Sequence, residues 1–209
     1  MTLKNFCLIG TIGILLFATS CKKSETPPDT INPPSNAAFP YLQDGALWSY
    51  INSDTDPNHA GNTFETSYTI TGIDAHGYVY VDWQIPSLLQ KVTWYVDTAQ
   101  WANPADKITG DKFTLITAKP LPGDTFSITY TTGTKITYIR RVMSLGATKT
   151  VPAGTFKSCA LIHETTTADS KYYEDYWIHP IYGIIRMEGT TKDDYPVIKI
   201  QELKELPFK

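Results

Sequence analysis

From Pro40 onward, apolar residues recur at every second position. The run from Tyr78 to Ile85 places Val79, Val81, Trp83 and Ile85 on one face. Val92, Trp94 and Val96 alternate with Thr93, Tyr95 and Asp97. Phe113, Leu115 and Thr117 follow, then Phe126, Ile128 and Tyr130. Ile136, Tyr138, Arg140 and Val142 alternate with Thr137, Ile139, Arg141 and Met143. In the last run Val197 and Lys199 share one face and Ile198 and Ile200 the other. Successive side chains of a strand point to opposite faces, so this period marks half-buried strands. Val, Ile, Thr, Tyr, Phe and Trp fill the runs, and these residues pack best on a pleated surface.

Turn formers separate the runs. His76-Gly77, Leu121-Pro122-Gly123-Asp124, Thr132-Gly133 and Pro152-Ala153-Gly154 are the clearest,. The spacing predicts an all-β fold of roughly ten antiparallel strands, as a barrel, half-barrel or sandwich, with little or no helix. Ser87 to Val92 is the one place where a short helical turn is expected. No internal repeat stands out and no boundary follows Pro40, so residues 40–209 read as one domain.

The chain before Pro40 is different. Lys4 and the amino terminus carry positive charge, Phe6 to Phe17 is mostly apolar, and Ala18, Thr19 and Ser20 are small. That order describes an export signal over residues 1–20. A transmembrane helix needs about 20 mostly apolar residues, and here Lys22 and Lys23 follow a shorter run. The cut falls before Cys21. Phe17-Ala18-Thr19-Ser20-Cys21 resembles a bacterial lipoprotein signal, with Ala18 where a Leu is usual. Lipid on Cys21 would anchor the chain to a membrane at about 0.8 kcal/mol per buried CH₂. Residues 21–39 hold Pro27, Pro28, Pro33 and Pro34 among Ser, Thr, Asn and Asp. Such a stretch has too little apolar surface to fold and reads as a semi-extended tether.

Composition narrows the function classes. The net charge is −3, and removal of Lys4 with the signal makes it one unit more negative. An acidic chain has no electrostatic footprint for nucleic acid. Of three cysteines, Cys7 leaves with the signal and Cys21 takes lipid, so Cys159 has no intramolecular partner,. Stability must then come from a hydrophobic core, and aromatic residues at 12% can supply one,.

Three segments carry a family resemblance. Phe39-Pro40-Tyr41-Leu42 through Gly45-Ala46-Leu47-Trp48-Ser49-Tyr50 opens the domain. Val151-Pro152-Ala153-Gly154-Thr155-Phe156-Lys157-Ser158-Cys159 lies in its second half. Tyr176-Trp177-Ile178-His179-Pro180-Ile181-Tyr182-Gly183-Ile184-Ile185 comes near the end. Their order and spacing resemble a family of exported bacterial lipoproteins whose domain has no assigned function. The last motif of that family usually runs aromatic-Trp, then Ala-Pro-Gly-x-Gly, and His179 and Tyr182 depart from it. The resemblance covers residues 39 to about 190. It implies an all-β envelope protein and carries over no catalytic residue. Read by themselves, the three segments look like corners of a sheet. Gly45 would end the tether and admit Trp48 to the core.

Candidate chemistry is sparse. Cys159 and His163 sit four residues apart, about 13 Å along a strand and beyond hydrogen-bond reach. No Gly-x-Ser-x-Gly elbow is present, and His59, His76, His163 and His179 lack zinc-ligand spacing,. Glu164, Asp169, Glu174 and Asp175 are the carboxylates considered for glycoside chemistry, but adjacent Glu174 and Asp175 point to opposite faces. Asp54, Asp56, Asn58 and Glu65 match positions one, three, five and twelve of a calcium loop,. His59 stands where Gly should be, and strands rather than helices flank the loop, so it is a weak calcium candidate beside a solvated hairpin loop. No metal, no cofactor and no enzyme activity are expected.

Trp83, Trp94, Trp101 and the many tyrosines are more than a core of this size obviously requires; most are expected in the core or at sheet edges, and the three tryptophans are the candidate ligand-contacting rings. The expected function is a non-catalytic lipoprotein of the bacterial cell envelope at the outer membrane, binding a hydrophobic molecule or a glycan. The alternative is a structural or assembly accessory without a small ligand. A small hydrolase comes third. An apolar interior cavity would point to a lipid-like ligand, and a solid core would remove the motive for one.

Overall fold

The computed structural model describes residues 38–55, 63–132, 134–190 and 198–207. Cys21 and nearly all of the tether lie outside them. Twelve strands follow in order: β1 (Leu47–Asp54), β2 (Phe64–Ile73), β3 (Tyr78–Ile85), β4 (Leu88–Val96), β5 (Gln100–Ala105) and β6 (Lys112–Thr117). Then come β7 (Thr125–Thr132), β8 (Thr134–Val151), β9 (Gly154–Thr166), β10 (Tyr173–His179), β11 (Gly183–Thr190) and β12 (Ile198–Glu205). Among the described residues there is no helix. The turn expected from Ser87 is only the Pro86–Ser87 hairpin bend, and Leu88 already belongs to β4.

Each strand pairs antiparallel with its neighbour in the chain, except at the β6–β7 junction, and β1 pairs with β12. The resulting order runs from β6 through β1 and β12 to β7. β6 and β7 lie against each other at the two ends of this sheet without a shared ladder. The fold is therefore an antiparallel barrel that is nearly closed, with one seam. The sequence predicts roughly ten strands, close to the twelve that form.

Alternation holds on the wall. Trp48 and Tyr50 of β1, Thr66 and Ile70 of β2, Val79 and Val81 of β3, and Ile162 and Glu164 of β9 are buried on the inner face. One end of the barrel is plugged. Phe39, Tyr41, Trp48, Trp94, Trp101, Leu115, Phe156 and Tyr182 all pack there. Phe39, the last residue of the expected tether, is buried in the core. Tyr41, Trp101, Trp94 and Trp48 form a chain of ring contacts 5.3–6.1 Å apart. Such pairs contribute about 0.5–1.5 kcal/mol each beyond the area they bury.

The three segments with a family resemblance meet at this plugged end. The Trp48 indole N–H donates to the Tyr182 carbonyl at 2.9 Å, and the Tyr50 hydroxyl donates to Ile184 O at 2.9 Å. Phe156 packs edge-on against His179 and Tyr182, with ring centroids 5.6 Å apart in each case. The Pro152–Ala153 turn joins β8 to β9, and Ala153 N–H donates to Leu203 O. Gly183 has φ +77°, and a Cβ there would sit 3.0 Å from the Tyr41 ring. Gly183→Ala should therefore cost about 1–2 kcal/mol from the left-handed backbone alone, with the Tyr41 contact adding to it. Urea denaturation measures it, and an unchanged midpoint would refute this account of the motif.

Two features shape the seam. β4 and β5 pair only through Tyr95–Ala102 and Val96–Trp101. Beyond them the β5–β6 loop lies against the outer face of β3, where Lys107 pairs with Asp74 at 2.8 Å and also bonds the Tyr80 hydroxyl. Lys112 caps the Tyr95 ring at 3.3 Å. A cleft of about 480 Å³ remains between β4 and Tyr130 of β7, beneath that loop.

Candidate functional site

Above the plug, the inner wall turns polar. The end of β9 and the start of β10 pair so that Glu164 faces Glu174 across the ladder. Arg140 of β8 faces Glu164 from the other side. Its Nε donates to Glu164 at 2.7 Å, and Nη1 donates to the carbonyls of Phe113 and Thr114 on β6, at 3.0 and 3.4 Å. The guanidinium lies 3.8 Å from the centre of the Phe113 ring. One side chain thus bridges the seam that the backbone leaves open.

Two tyrosines serve the carboxylates. The Tyr172 hydroxyl lies 2.8 Å from Glu164 and 3.4 Å from Glu174, and the Tyr176 hydroxyl donates to Glu174 at 2.6 Å. Burial, then the charge of Glu174, pushes both hydroxyls well above their ordinary pKa, so both remain donors at neutral pH,. The Glu174 carboxyl is itself raised, by burial first and by the Glu164 charge second.

The polar belt continues around the interior. Gln201 of β12 donates to Thr66 Oγ1 at 2.8 Å, and Asn52 of β1 donates to the same oxygen at 2.9 Å. Tyr68 follows Thr66 on β2 and stacks on Trp83 of β3, with centroids 5.7 Å apart and planes 6° apart. Two buried atoms here lack hydrogen-bond partners, Trp83 Nε1 and Gln201 Oε1. Tyr68, Trp83, Tyr138, Tyr172 and Glu174 are half-buried, so water reaches this part of the interior.

The candidate rings separate into two groups. Trp94 and Trp101 are 5% and 1% exposed and belong to the plug. Trp94 also touches the Tyr68 ring, with centroids 5.9 Å apart, but of the three only Trp83 is half-buried. Cys159 is fully buried, its thiol pushed up to about 11 by burial, and its sulfur faces Phe156 O at 3.9 Å. His163 lies on the outer face, bonded to Asp175 at 2.6 Å and stacked on Tyr173. In the calcium candidate, Asp56 and Asn58 lie outside the described residues. Glu65 pairs with Lys204 at 2.7 Å, and Asp54 ends β1.

Sequence reasoning missed the belt. Glu164 and Glu174 are ten residues apart and meet only through the 167–172 loop. The available signal was two strand runs joined by a short polar loop, with a Glu on the inward face of each.

No family model matches this chain, and no curated protein sequence matches it. Two solved structures share its fold. One is a protein of Parabacteroides distasonis provisionally assigned as a lipoprotein, 18% identical, with a TM-score of 0.50 over 81% of this chain and 98% of that one. The other, from Bacteroides fragilis, is provisionally assigned as an exported protein with a YmcC-like fold. It is 14% identical, with a TM-score of 0.51 over 82% of this chain and 99% of that one. At these identities the likeness is one of fold: a nearly closed antiparallel barrel shared with proteins assigned to export and to lipid anchoring.

Proposed function

We propose that this chain is a lipid-anchored, non-catalytic binding protein of the bacterial cell envelope, at the outer membrane, with its site in the upper interior of the barrel. The ligand is polar, a glycan rather than an acyl chain. One observation carries the choice. The half-buried Tyr68–Trp83 stack sits beside unpartnered polar atoms, above an end already filled with aromatic rings. Stacked rings with nearby amide and carboxyl groups suit the apolar face and hydroxyl edge of a sugar, whereas a lipid tail needs an apolar cavity. The export signal, Cys21 and the fold shared with proteins assigned to export support the anchored location.

The non-catalytic part of the reading rests on what the reactive groups touch. Glu164 is held by Arg140, and the Cys159 thiol is fully buried, with its pKa pushed up to about 11 by that burial. Titration of tryptophan fluorescence with neutral oligosaccharides and with a fatty acid tests the ligand class. A saturable response to sugar, lost in Trp83→Phe, is expected. Saturable binding of the fatty acid with no response to sugar would reverse the assignment.

A further inference from the structure

The upper interior is one positive charge short. Two carboxyl groups, Glu164 and Glu174, share the Tyr172 hydroxyl. The one guanidinium, Arg140, is bonded to Glu164 and to β6 carbonyls. Glu174 has hydroxyl donors but no ion pair among the described residues. Burial first and the neighbouring Glu164 charge second raise its pKa, and the charge of Arg140, bonded to Glu164, offsets this only in part,.

A second observation is independent of the acids. Gln201 is only 7% exposed; its amide N–H is bonded to Thr66, and its carbonyl oxygen has no donor. An unsatisfied buried acceptor costs about 1–3 kcal/mol and is rare in native proteins. Gln201 pairs with Met187, and Met187 with Tyr176, whose hydroxyl holds Glu174, so the amide and the carboxyl face the same stretch of the interior. What is missing there is a group that carries positive charge and donates hydrogen bonds. The faces of Tyr68 and Trp83 add the attraction of aromatic rings for a cation. The cleft by β4 has no such deficit, since Lys107 pairs with Asp74 and Asp106 accepts from its own loop.

We infer that the upper interior binds an ammonium group, held between the Glu174 carboxylate and the Gln201 carbonyl against the Tyr68–Trp83 stack. The inference rests on reading this region as the ligand site and names the group the site selects. An ammonium has three donors, enough for the carboxylate and the amide oxygen with one to spare. The group could arrive on an amino sugar or on a free alkyl amine. Trp83 Nε1 is a donor without an acceptor. A sugar hydroxyl meets it and an alkyl chain does not, which favours the amino sugar.

Calorimetric titration of the purified protein with glucosamine, putrescine and N-acetylglucosamine at neutral pH tests the inference. Glucosamine should bind at one site, and N-acetylglucosamine, whose nitrogen is neutral, about tenfold or more weakly. Glu174→Gln and Gln201→Leu should each weaken glucosamine about tenfold. Affinity should also fall as the pH is lowered through the titration of Glu174, because the protonated carboxyl no longer attracts the cation. Putrescine binding as tightly as glucosamine supports the ammonium site and assigns it to free amines. Equal binding of the two sugars, or an unaffected Glu174→Gln protein, overturns the ammonium and leaves the glycan reading standing. No binding of any of the three overturns both. If the variants do not fold, the Trp83 indole N–H resonance of the unaltered protein decides, and no shift with glucosamine overturns the inference.

Discussion

Arg140→Met should destabilise the protein by about 3–5 kcal/mol, the cost of leaving one partner of a buried ion pair without the other. Arg140 and Glu164 are both nearly inaccessible, and their contact is 2.7 Å. The same change also removes the donor from the Phe113 and Thr114 carbonyls on β6, so the seam loses its side-chain bridge. Urea denaturation reads the loss as a lower midpoint at unchanged slope. The double variant Arg140→Met, Glu164→Leu separates the two contributions. Replacing both charges by apolar groups removes the stranded carboxylate, and such replacements are often neutral or stabilising. The β6 carbonyls would still lack a donor, so the double variant should recover most of the loss but not all. A single variant that costs under about 1 kcal/mol would show that the guanidinium contributes little to closing the barrel.

The seam also shows where reading the sequence stops. Period two is plain in the runs through Val79, Trp94 and Val142, because a strand that buries one face must alternate. Alternation does not say which strand lies beside which, and every charged neighbour in the belt depends on that pairing. By alternation alone, Arg140 is one more position in a run. Its partners come from β9 and β6, which are 24 and 27 residues away. The carboxylates illustrate the same limit. Glu174 and Asp175 do point to opposite faces, with Asp175 outside on His163. The pair that forms is Glu164 with Glu174, set by the β9–β10 register.

The number of tryptophans is visible in the sequence, and number does not give depth. A barrel end has to be filled by side chains from several walls, and large rings do this with few residues. Trp48, Trp94 and Trp101 serve there, which leaves Trp83, of the three candidate rings, with a second role to play. The turns were more legible than the site. His76-Gly77 and Leu121-Pro122-Gly123 carry positive φ at their glycines, and only the chemistry of that residue is needed to expect it,.

Trp48→Ala should cost about 3–5 kcal/mol, the range for removing a large buried ring. Trp48→Phe should cost less, about 1–3 kcal/mol, since a ring remains and the main loss is the donor to Tyr182 O,. The contrast tests why three segments far apart in the chain resemble a family's fixed points together. Trp48 comes from the first, Tyr182 from the third, and Phe156 of the second packs on Tyr182. If they form one unit, Trp48→Phe and Phe156→Leu should couple, with a double-variant loss that differs from the sum of the single losses by about 0.5 kcal/mol or more. Additive losses would mean that the three segments are separate corners that happen to lie at one end. Coupled losses would make the plugged end the common structural core of the resemblance. The polar belt above it would then be the part free to differ between proteins of this fold and to set what each one binds.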